Sequence, residues 1–176
     1  KQINNKAGLN GENVARRILD SNGLQDVKVV PIKGTLTDNY NPTKKTVSLS
    51  EDIFYGTTIA GIAVAAHECG HAIQHGTNYP FLRLRSGLIP VLNITSNFSY
   101  IIILAGCFLG LLKLFEIGII LESLAVLFHL ITLPVEFNAS KRGLKQLRDF
   151  NMFDDSELFG CKKMLTAAAL TYVGAA

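Results

Sequence analysis

The chain has 176 residues and a mass of 19.2 kDa, which is the length of one domain. Apolar residues make up 48% and charged residues 18%, and the mean hydropathy of +0.27 excludes a disordered or fibrous chain. The net charge of +3 comes without a basic stripe or aromatic platforms, so no nucleic-acid partner is expected. Cys69, Cys107 and Cys161 lack paired spacing, which predicts no disulfide framework and favours a cytosol-facing environment.

The first fifty residues predict one helix followed by three short strands. Asn10 is a suitable N-cap for the helix, and Gly23 can end it in the left-handed conformation. Three β-type runs follow, Val27–Ile32, Thr35–Asn41 and Thr46–Ser50, with turn residues between them. We expect these runs to form a small meander.

A second helix is predicted from about Thr57 to His75. It is rich in Ala, Ile and Val, so most of its surface should be buried. Its polar residues gather near one end: His67, Glu68, His71, Gln74 and His75. This placement is unusual for a helix that only fills a core.

Two long apolar segments come next. Leu88–Leu112 contains no charged residue and is long enough to cross a bilayer as a helix. Leu114–Leu133 is a second candidate span, interrupted by Glu122 and His129. Only Lys113 and its neighbours are available for a turn, so the two spans should form a hairpin with both outer ends on one side.

Both outer ends of this hairpin are basic: Arg83 and Arg85 precede it, and Lys141, Arg142, Lys145 and Arg148 follow it. Because basic flanks stay on the inner side of a membrane, both ends are expected in the cytoplasm of a multi-pass plasma-membrane protein. The alternative is a soluble protein with a very apolar core hairpin. After a polar stretch, Met164–Ala176 is again predicted to be helical.

The most informative motif is His67-Glu68-Cys69-Gly70-His71 on the second predicted helix. Residues four apart lie on one face of a helix, so the two imidazoles can bind one metal ion, and zinc suits such ligands. Glu68 would then take a proton from the water that attacks a peptide carbonyl. The alternative is that both histidines only form hydrogen bonds inside a buried core helix and bind no metal. Cys69 is expected to be a small core residue.

A catalytic zinc site needs a third protein ligand. His75 is excluded, because a continuous helix places it about 12 Å along the axis from His67. Thr77 stands where the longer metzincin pattern requires histidine, so that class is excluded.

Glu136 is the best remaining candidate for the third ligand. It follows the second apolar segment directly, and the zinc helix precedes the first, so both should lie at the same membrane face. The alternative is that Glu136 only pairs with Arg142 or Lys141.

The chain as a whole resembles the YugP-type neutral zinc membrane peptidases, a group similar to the HtpX and CAAX-prenyl proteases and to the minigluzincins. The resemblance covers nearly the entire sequence. The matching runs are GLNGENVARRILDSNGL, GTLTDNYNP, VAAHECGHAIQH, TLPVEFNASKRGL and AAALTYVGAA.

The resemblance implies that His67, His71 and Glu136 bind zinc and that Glu68 is the general base. It also implies an α+β membrane protein, in which a minigluzincin-like core of helices and a small three-stranded sheet contains an inserted transmembrane hairpin. An edge strand of that sheet would receive an extended substrate. In the predicted domain organisation, residues 1–87 and 134–176 form the core and residues 88–133 form the hairpin.

The chain departs from the family pattern in one loop. The family has a histidine and a second aspartate near Asp38 where this chain has Asn39 and Asn41. A hydrolytic site also needs a group that stabilises the oxyanion, and the sequence leaves several candidates open. These candidates are His75, Tyr40 and Tyr172.

The leading hypothesis is therefore a bacterial-type integral membrane zinc metallopeptidase, an endopeptidase whose active site faces the cytoplasm. Its partners would be the lipid bilayer and polypeptide substrates, including membrane proteins. One alternative is a zinc-containing membrane binding or scaffold protein without proteolytic turnover. Another is an apolar structural hairpin that holds no metal.

Overall fold

The computed structural model describes residues 3–151 and 153–174, apart from the side chains of residues 89–97, 129 and 171–174. The helices and strands of this described part are α1 (Gly11–Ser21), β1 (Lys28–Ile32), β2 (Asn39–Asn41), β3 (Thr46–Ser50), α2 (Glu51–Phe54), α3 (Ile59–Gly76), α4 (Pro80–Phe108), α5 (Leu112–Asp149) and α6 (Asp155–Gly174). They form two compact units. The first contains Lys1–Tyr79 and Glu136–Leu170, and the second contains Pro80–Val135 and Thr171–Ala176. The boundaries predicted between core and hairpin, after residue 87 and after residue 133, stay a prediction.

Helix α1 begins and ends where the sequence predicted. The Asn10 side chain accepts a hydrogen bond from Asn13 N at 2.9 Å, which satisfies one free N–H of the first turn. At the other end Gly23 has a φ of +72°, and its N–H donates to Asp20 O at 3.2 Å. A left-handed residue at this place ends the helix while satisfying its last carbonyls.

We expect Asn10→Ala to lower the free energy of unfolding by about 1 kcal/mol, because the freed Asn13 N–H loses its acceptor. Thermal unfolding followed by circular dichroism in detergent measures the effect. Asn13→Ala is the matched control, since its exposed side chain lies within the helix and alanine favours helix there. Equal melting temperatures for Asn10→Ala and the parent would contradict the capping role.

The sheet is not the meander that the sequence predicted. Its strand order is β1-β3-β2, with β3 parallel to β1 and antiparallel to β2. Strand β3 takes the centre because Val47 and Leu49 are fully buried, whereas β2 carries Asn39 and Asn41 on either side of Tyr40. A meander would have placed the polar β2 between two apolar strands.

Helix α3 lies next to α1 in the core of the first unit. Thr58 caps it by accepting a hydrogen bond from Gly61 N at 3.1 Å, so the helix predicted from Thr57 to His75 is confirmed within two residues at either end. Cys69 is fully buried, as predicted for a small core residue, and all three cysteines are free. The short helix α2 before it was not predicted. Fully buried core side chains include Val14, Ile18, Leu19, Val47, Leu49 and Ile62.

Helix α6 begins nine residues before the predicted Met164. Asp154 Oδ1 accepts from Glu157 N at 2.9 Å, and Glu157 Oε2 accepts from Asp154 N at 2.9 Å, which is a capping box. Glu157 also accepts from Lys6 N at 2.7 Å, and Lys6 forms an ion pair with Asp154. The acidic D-x-x-E signal for this start was present in the sequence and was missed.

In the second unit α4 and α5 run antiparallel through a short connection at Gly110, whose φ is +65°. The turn was predicted around Lys113, which instead lies in the first turn of α5. Glycine allows the reversal because it adopts positive φ without steric cost. The helices approach closely, since a Cβ at Gly106 would lie 2.5 Å from Phe115 N.

Helix α5 is the one helix among the described residues that is long and apolar enough to cross a membrane. Its apolar stretch is largely exposed, as expected if lipid covers it, and the exposed side chains include Ile117, Ile119, Ile120, Leu124, Leu127 and Leu130. Within this unit Ser99 Oγ donates to Glu122 Oε2 at 2.7 Å. In α4 the stretch Phe98–Phe108 is a shorter apolar helix, so a crossing by Leu88–Leu112 stays a prediction. The side chain of His129 is not among those that the structure describes.

Candidate metal centre

The structure brings together the three side chains that the sequence assigned to a metal. His67 Nε2 and His71 Nε2 are 3.2 Å apart on adjacent turns of α3. Glu136 Oε2, from α5, is 3.2 Å from His67 Nε2 and 3.6 Å from His71 Nε2. Glu136 is only 4% exposed, so its carboxylate points into the protein.

This triangle of donor atoms fits a zinc ion. Zinc bound tetrahedrally at about 2.0–2.1 Å has ligand atoms about 3.3–3.4 Å apart, close to the three separations of 3.2, 3.2 and 3.6 Å. Two imidazole nitrogens and one carboxylate oxygen are the donor set of gluzincin-type catalytic zinc sites, which leave a fourth position open. The ligand roles remain a prediction that this arrangement supports.

Glycines explain how α5 comes so close to α3. A Cβ at Gly70 would lie 2.8 Å from the carbonyl carbon of Ala139, and one at Gly143 would lie 2.7 Å from that of Ala66. Both distances are inside van der Waals contact, so only glycine permits this crossing. Gly70 and Ala139 meet one turn from Glu136, which places that carboxylate at the histidines. Sequence reasoning missed this role, although a glycine inside the metal motif was the available signal.

Glu68 lies beside the two histidines on α3 and is 9% exposed. Burial raises the pKa of its carboxyl group above the ordinary value, and the charges of Glu136 and Asp38 add to the rise, although both histidines oppose it. A carboxylate whose pKa is raised binds a proton more readily, which suits a group that must accept one from water. This environment agrees with the role predicted for Glu68.

The charges of the site also act on His71. Burial lowers the pKa of its ring, but the nearby carboxylate groups of Glu136 and Glu68 outweigh it, so the net pKa is raised. The surroundings of His71 therefore favour a positive charge at this position. A divalent cation would satisfy the same demand.

The far sides of both imidazoles also have partners. His67 Nδ1 is 3.0 Å from Ser140 Oγ, and His71 Nδ1 is 3.0 Å from Gln74 Oε1. Such second contacts orient metal-binding histidines and select their tautomer. Ser140 lies one turn after Glu136 on α5, and sequence reasoning did not single it out.

Two of the three oxyanion candidates lie together. Tyr40 Oη on β2 is 2.9 Å from His75 Nδ1 at the end of α3. The side chain of Tyr172 is not among those that the structure describes, so its role in stabilising the oxyanion stays a prediction. Asn39 Nδ2 donates to Thr37 O at 2.7 Å. The oxyanion roles of Tyr40 and His75 are also still predictions.

Comparisons with known proteins agree with this chemistry. A family model described as "Putative neutral zinc metallopeptidase" matches residues 1–176. The chain is 50% identical over 175 residues to "Putative membrane protease YugP" of Bacillus subtilis (strain 168), an alignment that covers 99% of this chain and 78% of that protein. No solved structure matches significantly.

Proposed function

Because the chain belongs to the family described as "Putative neutral zinc metallopeptidase", as its sequence resemblance predicted, we propose that it is an integral membrane zinc endopeptidase. The observation that carries this proposal is the convergence of His67 Nε2, His71 Nε2 and Glu136 Oε2 beside the buried carboxyl group of Glu68. A merely structural pair of core histidines would not need a third, acidic donor from a distant helix.

In the proposed reaction His67, His71 and Glu136 hold the zinc ion. When bound, zinc supplies Lewis-acid polarisation of a carbonyl group and lowers the pKa of water. Glu68 accepts a proton from the attacking water and then delivers it to the amide nitrogen, which leaves as an amine. The same carboxyl group thus serves as base and then as acid, and it ends each cycle ionised.

Substrate binding is proposed at strand β2, which lies at an edge of the sheet. An extended polypeptide can pair with an edge strand through main-chain hydrogen bonds, which gives affinity without strict side-chain specificity. Tyr40 on this strand, held by His75, is the proposed donor to the carbonyl oxygen as it gains negative charge. Polypeptides, including membrane proteins, are the proposed substrates.

The membrane relationship is proposed from the chain itself and from the relative. The similar Bacillus subtilis protein is called a membrane protease, and α5 contains one apolar stretch long enough to cross a bilayer. We propose that α4 and the first part of α5 form a two-span hairpin. Its basic flanks would keep the zinc site at the cytoplasmic face.

Metal removal tests the proposal. The purified full chain in detergent should contain one zinc ion per molecule and should cleave a denatured, fluorescently labelled protein. A chelator should abolish the cleavage, and added zinc should restore it, because zinc supplies the polarising charge. Chelator treatment of a metal-independent protease on the same substrate is the control. Cleavage that survives complete zinc removal would refute the proposal.

A second candidate function is a zinc-containing membrane scaffold without turnover. It is favoured by Asn39 and Asn41, which stand where the family pattern has a histidine and an aspartate. This protein would bind zinc but cleave neither soluble nor membrane polypeptides. Suppose that the parent chain binds zinc without cleaving and that the double variant Asn39→His with Asn41→Asp cleaves. The parent chain would then be the zinc-containing scaffold.

A further inference from the structure

A continuous chain of hydrogen bonds leads from His71 to a cation on another helix. His71 Nδ1 is 3.0 Å from Gln74 Oε1, and Gln74 Nε2 donates to Asn138 Oδ1 at 3.1 Å. Asn138 Oδ1 also accepts from Arg142 Nε at 2.7 Å. The chain therefore connects the zinc helix α3 with α5 through two side-chain amides.

The direction of every bond in this chain follows from Arg142. A guanidinium group can only donate, so the atom of Asn138 that faces it must be the amide oxygen. The Gln74 atom that meets the same oxygen must then be the amide nitrogen, which turns the Gln74 oxygen toward His71. An amide oxygen can only accept, so a ring nitrogen within hydrogen-bond distance of it carries the proton. Nδ1 of His71 is therefore protonated, and the lone pair of a neutral ring lies on Nε2.

That lone pair lies on the side where a metal would bind. His71 Nε2 faces Glu136 Oε2 at 3.6 Å and His67 Nε2 at 3.2 Å. We propose that Gln74, Asn138 and Arg142 are positioning residues that hold His71 in the tautomer able to bind zinc through Nε2, an inference that rests on the proposed function. None of the three needs to touch the metal or the substrate.

Burial makes this arrangement effective. Gln74 is 0% exposed, so water does not replace its bond to His71. Arg142 is partly buried, and its guanidinium group lies 5.8 Å from the centre of the Tyr79 ring, which restrains it. The pairing of Asn138 with Arg142 spans one turn of α5, so both are carried by the helix that supplies Glu136.

His67 provides an internal contrast. Its Nδ1 faces Ser140 Oγ, and a hydroxyl group can either donate or accept. Ser140 alone therefore does not select the tautomer of His67. Disrupting the hydrogen-bond chain at Asn138 should affect His71 and leave His67 unchanged.

The test compares two substitutions at one position in the full chain. Asn138→Asp has nearly the same shape and still accepts from both Gln74 and Arg142, whereas Asn138→Leu removes the acceptor. We expect Asn138→Leu to lose about 10–100-fold in zinc affinity, the usual effect of removing an outer-shell partner, and Asn138→Asp to bind zinc nearly as the parent does. Competition with a chromophoric chelator measures the affinity.

¹⁵N NMR of metal-free protein with ¹⁵N-labelled histidine rings supplies a measurement that does not depend on zinc. When the ring of His71 is neutral, the parent and Asn138→Asp should show it as the Nδ1–H tautomer. Asn138→Leu should show a mixture at His71 and no change at His67. The signals are assigned by their loss in His67→Asn and His71→Asn.

Variants of Arg142 test the same hydrogen-bond chain if Asn138→Leu does not fold. Arg142→Met should produce the same tautomer mixture, and Arg142→Lys, which still only donates, should not. An unchanged His71 tautomer in Asn138→Leu and Arg142→Met would overturn the inference, as would equal losses of zinc affinity in Asn138→Asp and Asn138→Leu. If the parent bound no zinc, the proposed function would fail while the tautomer measurement still tested the hydrogen-bond chain.

Discussion

The Glu68→Gln variant should retain zinc but lose about 10²–10⁴-fold in the rate of peptide hydrolysis, the usual contribution of a general base. Glutamine has nearly the same shape as glutamate, so the packing around this 9% exposed side chain should persist. An amide, however, cannot take the proton of the attacking water. The loss should therefore fall on kcat, while KM and zinc content stay near those of the parent.

Cleavage of a labelled unstructured polypeptide, together with metal analysis of the same preparation, measures both quantities. Glu51→Gln is the matched control, because Glu51 is an exposed acid in the first turn of α2 and should be replaceable without effect. If Glu68→Gln cleaved as fast as the parent while it retained zinc, the assignment of the general base would be wrong. Loss of zinc from the variant would instead show that Glu68 helps to hold the metal.

Gly70→Ala should disrupt the zinc site without altering any proposed ligand. The new methyl group would lie 2.8 Å from the carbonyl carbon of Ala139 and closer still to its oxygen, so the backbones of α3 and α5 must separate. Overpacking of this kind typically costs about 1–3 kcal/mol of stability. Glu136 lies one turn from the clash, so its carboxylate should move away from His67 and His71, and zinc affinity should fall.

Zinc titration and thermal unfolding of the variant in detergent test this expectation. Gly87→Ala is the matched control, because Gly87 is also helical but has open space where the methyl group would lie. Alanine favours helix there, so no loss of stability is expected. If Gly70→Ala bound zinc and melted like the parent, the helices would not need this close approach to form the site.

Local chemistry allowed much of the fold to be predicted from the sequence. Asn10 and Gly23 delimit α1 through hydrogen bonds that span only a few residues, and the 3.6-residue period of α3 places His67 and His71 on one face. The exposed apolar stretch of α5 was likewise visible in the sequence as a long run of mostly apolar residues. Even Glu136 was within reach, because a zinc site needs a third donor and few candidates followed the second apolar segment.

The sequence by itself therefore determined the helix that carries the zinc motif, the candidate ligands and the apolar segment. Only the tertiary structure decided that β3 lies between β1 and β2, because strand order depends on which residues find a common core. It also decided the approach of Gly70 to Ala139 and the bonds linking His71 to Arg142. These contacts join segments about seventy residues apart on different helices, so no local period or spacing encodes them, and their existence depends on the packing of the two helices.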